Sequence, residues 1–145
     1  MDLTVRDACE EDADAVSALL GEMGYPMSAE IAATVVRRFV RHPGSRLQVA
    51  DGPDGLVGLV ATQTVPRLDA DALSCRITDL VVSASRRRRG IGAALLDAAE
   101  REARRAGAPR LDLSSGDWRD DAHSFYAAMG FETRARAFTK RLDPA

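Results

Sequence analysis

Cysteine is nearly missing from this chain. Cys9 and Cys75 stand alone, forming neither a C-x-x-C pair nor a disulfide framework, so a reducing cytoplasm is the expected home. No apolar run is long enough to span a bilayer, and no stretch has the composition of a signal peptide or an arginine-rich, acid-poor leader. A membrane partner is therefore not expected. Lysine is scarcer still, with Lys140 the single example, and basic residues (20) do not outnumber acidic ones (22). The net charge of −2 and a pI near 5.7 give no overall field that would draw a polyanion. Internal repeats, low-complexity tracts and linker-like stretches are lacking too, so residues 1–145 read as one domain.

What remains is an ordinary globular balance, 46% apolar and 29% charged. Leu3 to Ala8 alternates as a first strand. Glu10, Glu11 and Asp12 put negative charge at a helix start, followed by Ala13, Val16, Leu20 and Met23 at helical spacing and a closing Gly24. Ser28 is a candidate N-cap for a second helix, in which Ile31, Val35 and Phe39 would form the buried face. Leu47 to Ala50 and Leu56 to Val65 read as strands joined by Asp51-Gly52-Pro53-Asp54-Gly55. A further strand ends at Val82; regular alternation would put Cys75, Ile77, Asp79 and Val81 on one face and Arg76, Thr78, Leu80 and Val82 on the other. Gly107 and Pro109 end a long helix, and Leu111 to Leu113 forms another strand. A short helix follows, with Ala122, Phe125 and Met129 on one stripe. Residues 134–142 alternate as an outer strand or hairpin would.

The informative stretch is residues 80–96, LVVSASRRRRGIGAALL. It reads as a strand end, an arginine-rich loop and a helix start, and that combination makes an anion site. The first turn of a helix has backbone N–H groups without partners and carries partial positive charge. Gly90 and Gly92 remove side chains that would hold a phosphate away. Flanking arginines add charge and forked donors. Neither the Rossmann fingerprint nor the P-loop pattern fits. Arg86 to Arg89 could alternatively be a solvated charge run or a nucleic-acid patch. The acidic pI opposes a nucleic-acid partner, and a solvated run gives no reason for two glycines at a helix start.

Arg87 to Gly92 matches [QR]-x-x-G-x-[GA] after a strand end, the pyrophosphate signature of the GNAT superfamily of acyl-CoA-dependent N-acyltransferases. Some 30 residues later, A-x-x-F-Y-x-x-x-G-F at Ala122 to Phe131 looks like that superfamily's other hallmark. The order of strands and helices is also the family's, so the chain resembles a GNAT N-acetyltransferase over nearly its whole length. Its ending is similar to that of aminoalkylphosphonate acetyltransferases. The implied fold is α/β, a mixed and mostly antiparallel sheet of six or seven strands flanked by about four helices and splayed between the fourth and fifth strands.

The resemblance implies acetyl-CoA as cosubstrate and no metal. Backbone groups of Leu80, Val81 and Val82 would hold the pantetheine arm. Arg87, Arg88, Arg89, Gly90, Ile91, Gly92 and Ala93 would hold the pyrophosphate. Tyr126 corresponds to the family's tyrosine near the thioester sulfur, a general acid for the leaving thiolate; as a residue alone it could equally be an amphipathic core tyrosine. An attacking amine must lose a proton, which a carboxylate can take through water. Asp79 is the candidate, with a structural pair to a nearby arginine as the alternative. His123, three residues before Tyr126, is left out of the catalytic set. Two positions depart from the family pattern: Arg119 replaces a helix-capping asparagine, and Arg88 a frequent glycine. The implied acceptor is a small-molecule primary amine, with a protein or peptide amine as the alternative and a non-catalytic acyl-CoA sensor as the reading from another class. Tyr25, Pro26, Asp69, Asp71 and Trp118 lie in loops that border the acceptor cleft in similar proteins. A homodimer is left open.

Overall fold

The computed structural model describes residues 2–87, 89–114, 120–134 and 137–142. The chain divides into two compact units, Met1–Leu113 and Ser114–Ala145. The first holds one sheet in sequential order: β1 (Thr4–Asp7), β2 (Ser45–Gly52), β3 (Gly55–Pro66), β4 (Leu73–Val82) and β5 (Leu111–Leu113). The first four strands are mutually antiparallel, and β5 runs parallel to β4. The β2–β3 hairpin closes with Gly52 opposite Gly55, as the turn residues predict.

Helices cover both faces of the sheet. On one side α1 (Ala13–Glu22) and α2 (Ala29–Arg41) bury Ala13, Val16, Leu19 and Val36 against Leu47, Val49, Leu59, Ala61 and Val81. On the other lies α3 (Ile91–Arg105), whose Ile91, Leu95, Leu96, Ala98, Ala99 and Ala103 are all buried. Full burial of a leucine or isoleucine side chain contributes about 1.5–3 kcal/mol, so this stripe fixes the helix firmly. Ser28 caps α2, its hydroxyl accepting the Ile31 N–H at 3.1 Å. The buried stripe of α2 differs from the expected one. Ala32 and Val36 face the sheet with Phe39 and Val40 beside them, whereas Ile31 is 55% exposed. The stripe is thus shifted by one residue, because the helix takes its phase from the sheet surface rather than from its bulkiest residues.

Regular alternation also fails in β4. Ala61 pairs with Asp79 and Thr62 with Ile77, which leaves Thr78 as an extra residue in a β-bulge. Faces exchange at that point. Cys75 and Ile77 are buried opposite Thr64 and Thr62, on the α3 side. Asp79, in register with Ala61, and Val81, in register with Leu59, belong to the α1/α2 side. The expectation that all four share a face is corrected by that single residue.

The sheet has five strands among the described residues, against the six or seven expected. Among the described residues of the second unit, α4 (Asp120–Ala128) is the one regular element, and residues 137–142 form no strand. Alternation alone does not make a strand, since a ladder needs a partner. No described helix is long and apolar enough to cross a membrane.

Candidate active site

The site grows from the end of β4. Among the described residues, β5 pairs with β4 from Cys75 to Ile77, and Asp79 to Val82 pair with β3 on one side alone. Such an edge presents backbone N–H and C=O groups to an extended ligand. Just past it the Ser83 N–H bonds the Val57 carbonyl at 2.8 Å, and a 3₁₀ turn spans Ala84–Arg86.

The helix start is open. Gly90 takes a left-handed conformation (φ 79°) that a side chain would strain, and no side chain caps α3. The first intrahelical bond runs from the Ala94 N–H to the Gly90 carbonyl, leaving the N–H groups of Ile91, Gly92 and Ala93 for a ligand. Below this turn, β3 carries Gly58 opposite Val82. A β-carbon at Gly58 would lie 2.9 Å from the Val81 carbonyl oxygen, 2.9 Å from Leu95 Cδ1 and 3.3 Å from Ile91 Cγ2. Only glycine lets the helix start sit this close to the strands. Sequence reasoning missed it, because one glycine in a strand shows its purpose only once the helix above it is placed.

The four arginines do different work. Arg86 pairs with Asp54 of the hairpin turn at 3.2 Å and is a strut. Arg87 is exposed, its Nε 3.4 Å from the Val82 carbonyl oxygen. Arg89 is exposed at the helix entrance. Arg88 lies outside the described residues. Leu80, Val81, Val82, Arg87, Arg89, Gly90, Ile91, Gly92 and Ala93 therefore run through the strand end, the loop and the helix start, where Val81 and Ile91 have buried side chains and add only backbone to the surface.

Asp79 adjoins this surface but lies on the opposite side of the sheet from α3, half-buried. Among the described residues its carboxylate has no hydrogen bond or ion pair, while its backbone is in register with Ala61 of β3. Tyr126 stands in the second unit, on α4. It is half-buried, with ring centroids 5.6 Å from Phe125 and 5.8 Å from Phe131. Gly130 (φ 93°) ends α4, and the Phe131 N–H returns to the Tyr126 carbonyl at 2.9 Å. His123 is exposed, as is Met129, which is not part of a buried stripe. Among the acceptor-loop residues, Tyr25 is 59% exposed and Asp69 is held by Arg67 at 3.0 Å; Trp118 and Arg119 lie outside the described residues.

Burial pushes the Cys75 thiol up, and the carboxylates of Glu11 and Asp12 raise that of Cys9. No cluster of three metal-ligating side chains occurs among the described residues.

Comparison with known proteins places this geometry. The acetyltransferase (GNAT) family model matches residues 13–131, through both units. The chain belongs to the GNAT family. It is an N-acetyltransferase, and the family's acyl donor is acetyl-CoA. An aminoalkylphosphonate N-acetyltransferase of Salmonella typhimurium is 34% identical over 144 residues, covering 95% of this chain and 90% of that one. A putative acetyltransferase from Agrobacterium tumefaciens shares the fold at a TM-score of 0.88 and 24% identity, covering 96% of this chain and 99% of that one. An aminoglycoside N-acetyltransferase solved in complex with CoA superposes at a TM-score of 0.86 and 14% identity, over 97% and 95% of the two chains.

Proposed function

We propose that residues 1–145 act as a single domain that transfers an acetyl group directly from acetyl-CoA to a primary amine of a small molecule. The observation that carries this reading is the uncapped start of α3, entered through a left-handed Gly90 and flanked by exposed Arg87 and Arg89. The pyrophosphate sits on the N–H groups of Ile91, Gly92 and Ala93, with Arg87 and Arg89 supplying charge. The edge of Leu80, Val81 and Val82 that faces away from β3 takes the pantetheine arm as an added strand.

Asp79 takes the ammonium proton through water, because only the neutral amine has a lone pair to form the new C–N bond. As the C–S bond breaks, the Tyr126 hydroxyl donates its proton to the sulfur and is reprotonated from solvent. No enzyme-bound acyl group is formed, because the amine attacks the thioester carbonyl directly. The small-molecule acceptor is supported by the relative that acts, by its name, on aminoalkylphosphonates.

Calorimetry tests the donor site. Acetyl-CoA should bind with micromolar affinity and free CoA should compete, whereas absence of heat from either on folded protein would refute the site. Thiol release from acetyl-CoA, screened across aminoalkylphosphonates, polyamines, amino acids and peptides with a free N-terminus or lysine, tests the acceptor. Turnover on peptides alone would favour the protein-amine reading. Tight CoA binding without turnover on any amine would favour a sensor.

A further inference from the structure

Glu22 is the last residue of α1, and its place there is unfavourable. The carbonyl end of a helix carries partial negative charge and favours cations, yet the last turn of α1 contains a carboxylate and no basic residue. A residue that breaks a local rule is worth following to its partner. Glu22 Oε1 accepts the backbone N–H of Ala84 at 3.0 Å, across 62 residues of sequence. Ala84 opens the 3₁₀ turn that leads from the β4 edge to the arginines. From Glu22 the chain runs the other way through Gly24 (φ 99°) to the exposed Tyr25, while the Met27 carbonyl accepts the Ser17 hydroxyl of α1 at 3.4 Å.

The 3₁₀ turn is thus held from two sides, Ala84 by the end of α1 and Arg86 by Asp54 of the hairpin. Arg86 is occupied by this work, which leaves Arg87 and Arg89 to meet an anion. We propose that Glu22 is a positioning residue for the anion loop, joining the end of α1, and with it the Gly24–Ser28 segment, to the surface that binds acetyl-CoA. This rests on the reading of that surface as the CoA site.

The proposal makes an unusual prediction of sign. Glu22 is a negative charge beside an anion loop, so if charge were its whole contribution, removing it would tighten CoA binding. If its hydrogen bond positions the loop, the effect depends on which atom is lost. Glu22→Gln keeps an oxygen that accepts the Ala84 N–H and removes the charge; Glu22→Ala removes both. Calorimetry with free CoA on the full chain should show Glu22→Gln within about twofold of wild type or tighter. Glu22→Ala should be weaker by about fivefold, the worth of one ordinary hydrogen bond. The KM for acetyl-CoA should rise in step in Glu22→Ala while kcat holds, and both Tm values should stay within about 2 °C of wild type. Equal or tighter CoA binding by Glu22→Ala would overturn the proposal. So would a Glu22→Gln variant as weak as Glu22→Ala, or a loss of affinity that tracks a loss of fold. Failure of the wild-type protein to bind CoA would instead refute the donor site itself.

Discussion

The two ends of α3 are built on opposite plans. At its start the helix has no capping side chain, a glycine in the left-handed region and three backbone N–H groups left over. At its end everything is taken. Glu102, 5% exposed, accepts from Arg105 at 2.6 and 2.9 Å and from Arg46, which reaches on to Asp7 of β1 at 2.8 Å. Gly107 (φ 79°) closes the last turn, with the Ala108 N–H bonded to the Ala103 carbonyl at 2.9 Å. One helix is therefore anchored where it is saturated and receptive where it is not. With the proposed donor site at its start, stability and binding should respond separately to substitution at the two ends.

Filling the receptive end gives the largest expected effect. Gly92→Glu places a carboxylate where the pyrophosphate belongs, and like-charge contact costs several kcal/mol, so CoA affinity should fall by more than about 10²-fold. Glutamate suits a first helical turn, so the Tm should hold. Calorimetry beside thermal melting checks both, and a variant that binds CoA normally would misplace the site.

Tyr126→Phe sharpens the comparison by leaving both ends of the helix alone. CoA affinity should be unchanged while kcat falls by about 10²-fold, the low end for general acid catalysis because a thiolate is an acceptable leaving group. Near-normal kcat on a confirmed amine would make Tyr126 a packing residue.

At the saturated end, Glu102→Ala leaves Arg105 without its carboxylate and Arg46 with Asp7 alone. It should lower stability by about 2 kcal/mol, below the usual 3–5 for breaking a buried pair because both arginines keep some access to water. CoA affinity at a temperature where the variant is folded should stay within about twofold of wild type. The wild-type pH profile gives an independent check. The guanidinium groups of Arg105 and Arg46 hold the Glu102 carboxyl below its ordinary range. Its contribution is therefore fully present above the ordinary glutamate value near 4.3 and is lost as pH falls below it. Glu102→Ala should flatten that part of the acid limb in a Tm-versus-pH series. An unchanged limb would show the pair to be of no consequence.

The smallest effect is expected from Asp79→Asn. About 10-fold in kcat should be lost near neutral pH, because bulk water can also remove the amine's proton. The deficit should shrink as pH rises and more of the amine is already neutral. A deficit that stays constant with pH would argue against Asp79 as the base.

Local signals carried most of what could be read from the chain itself. The Gly90-Ile91-Gly92 helix start, the Ser28 cap, the hairpin at residues 51–55 and the Gly107 stop each depend on a few adjacent residues, and each is where the sequence puts it. What escaped depends on distant residues. The bulge at Thr78 has no composition of its own, yet it moves Asp79 and Val81 across the sheet. The phase of α2 is set by β2, which is why Ile31 faces outward. Within the run of four arginines nothing in the sequence separates Arg86 from its neighbours, since what distinguishes it is Asp54, 32 residues earlier. Glu22 gave a signal of the wrong sign, an acid at the wrong end of a helix, and its partner is 62 residues away.

Gly58 bears on how this scaffold can change. Beneath the first turn of α3 the β-carbon position is blocked on one side by the Val81 carbonyl, which belongs to the strand and cannot swing aside as a side chain can. That position is closed, because any side chain at Gly58 must displace the Val81 carbonyl of the neighbouring strand as well as the Leu95 side chain. The exposed positions of the loop, Ala84, Ser85, Arg87 and Arg89, are unconstrained by packing. A lineage, or a directed-evolution library, that retunes donor affinity therefore has an editable side and a closed one. Productive variants should accumulate in the loop, while the strand below it keeps its glycine.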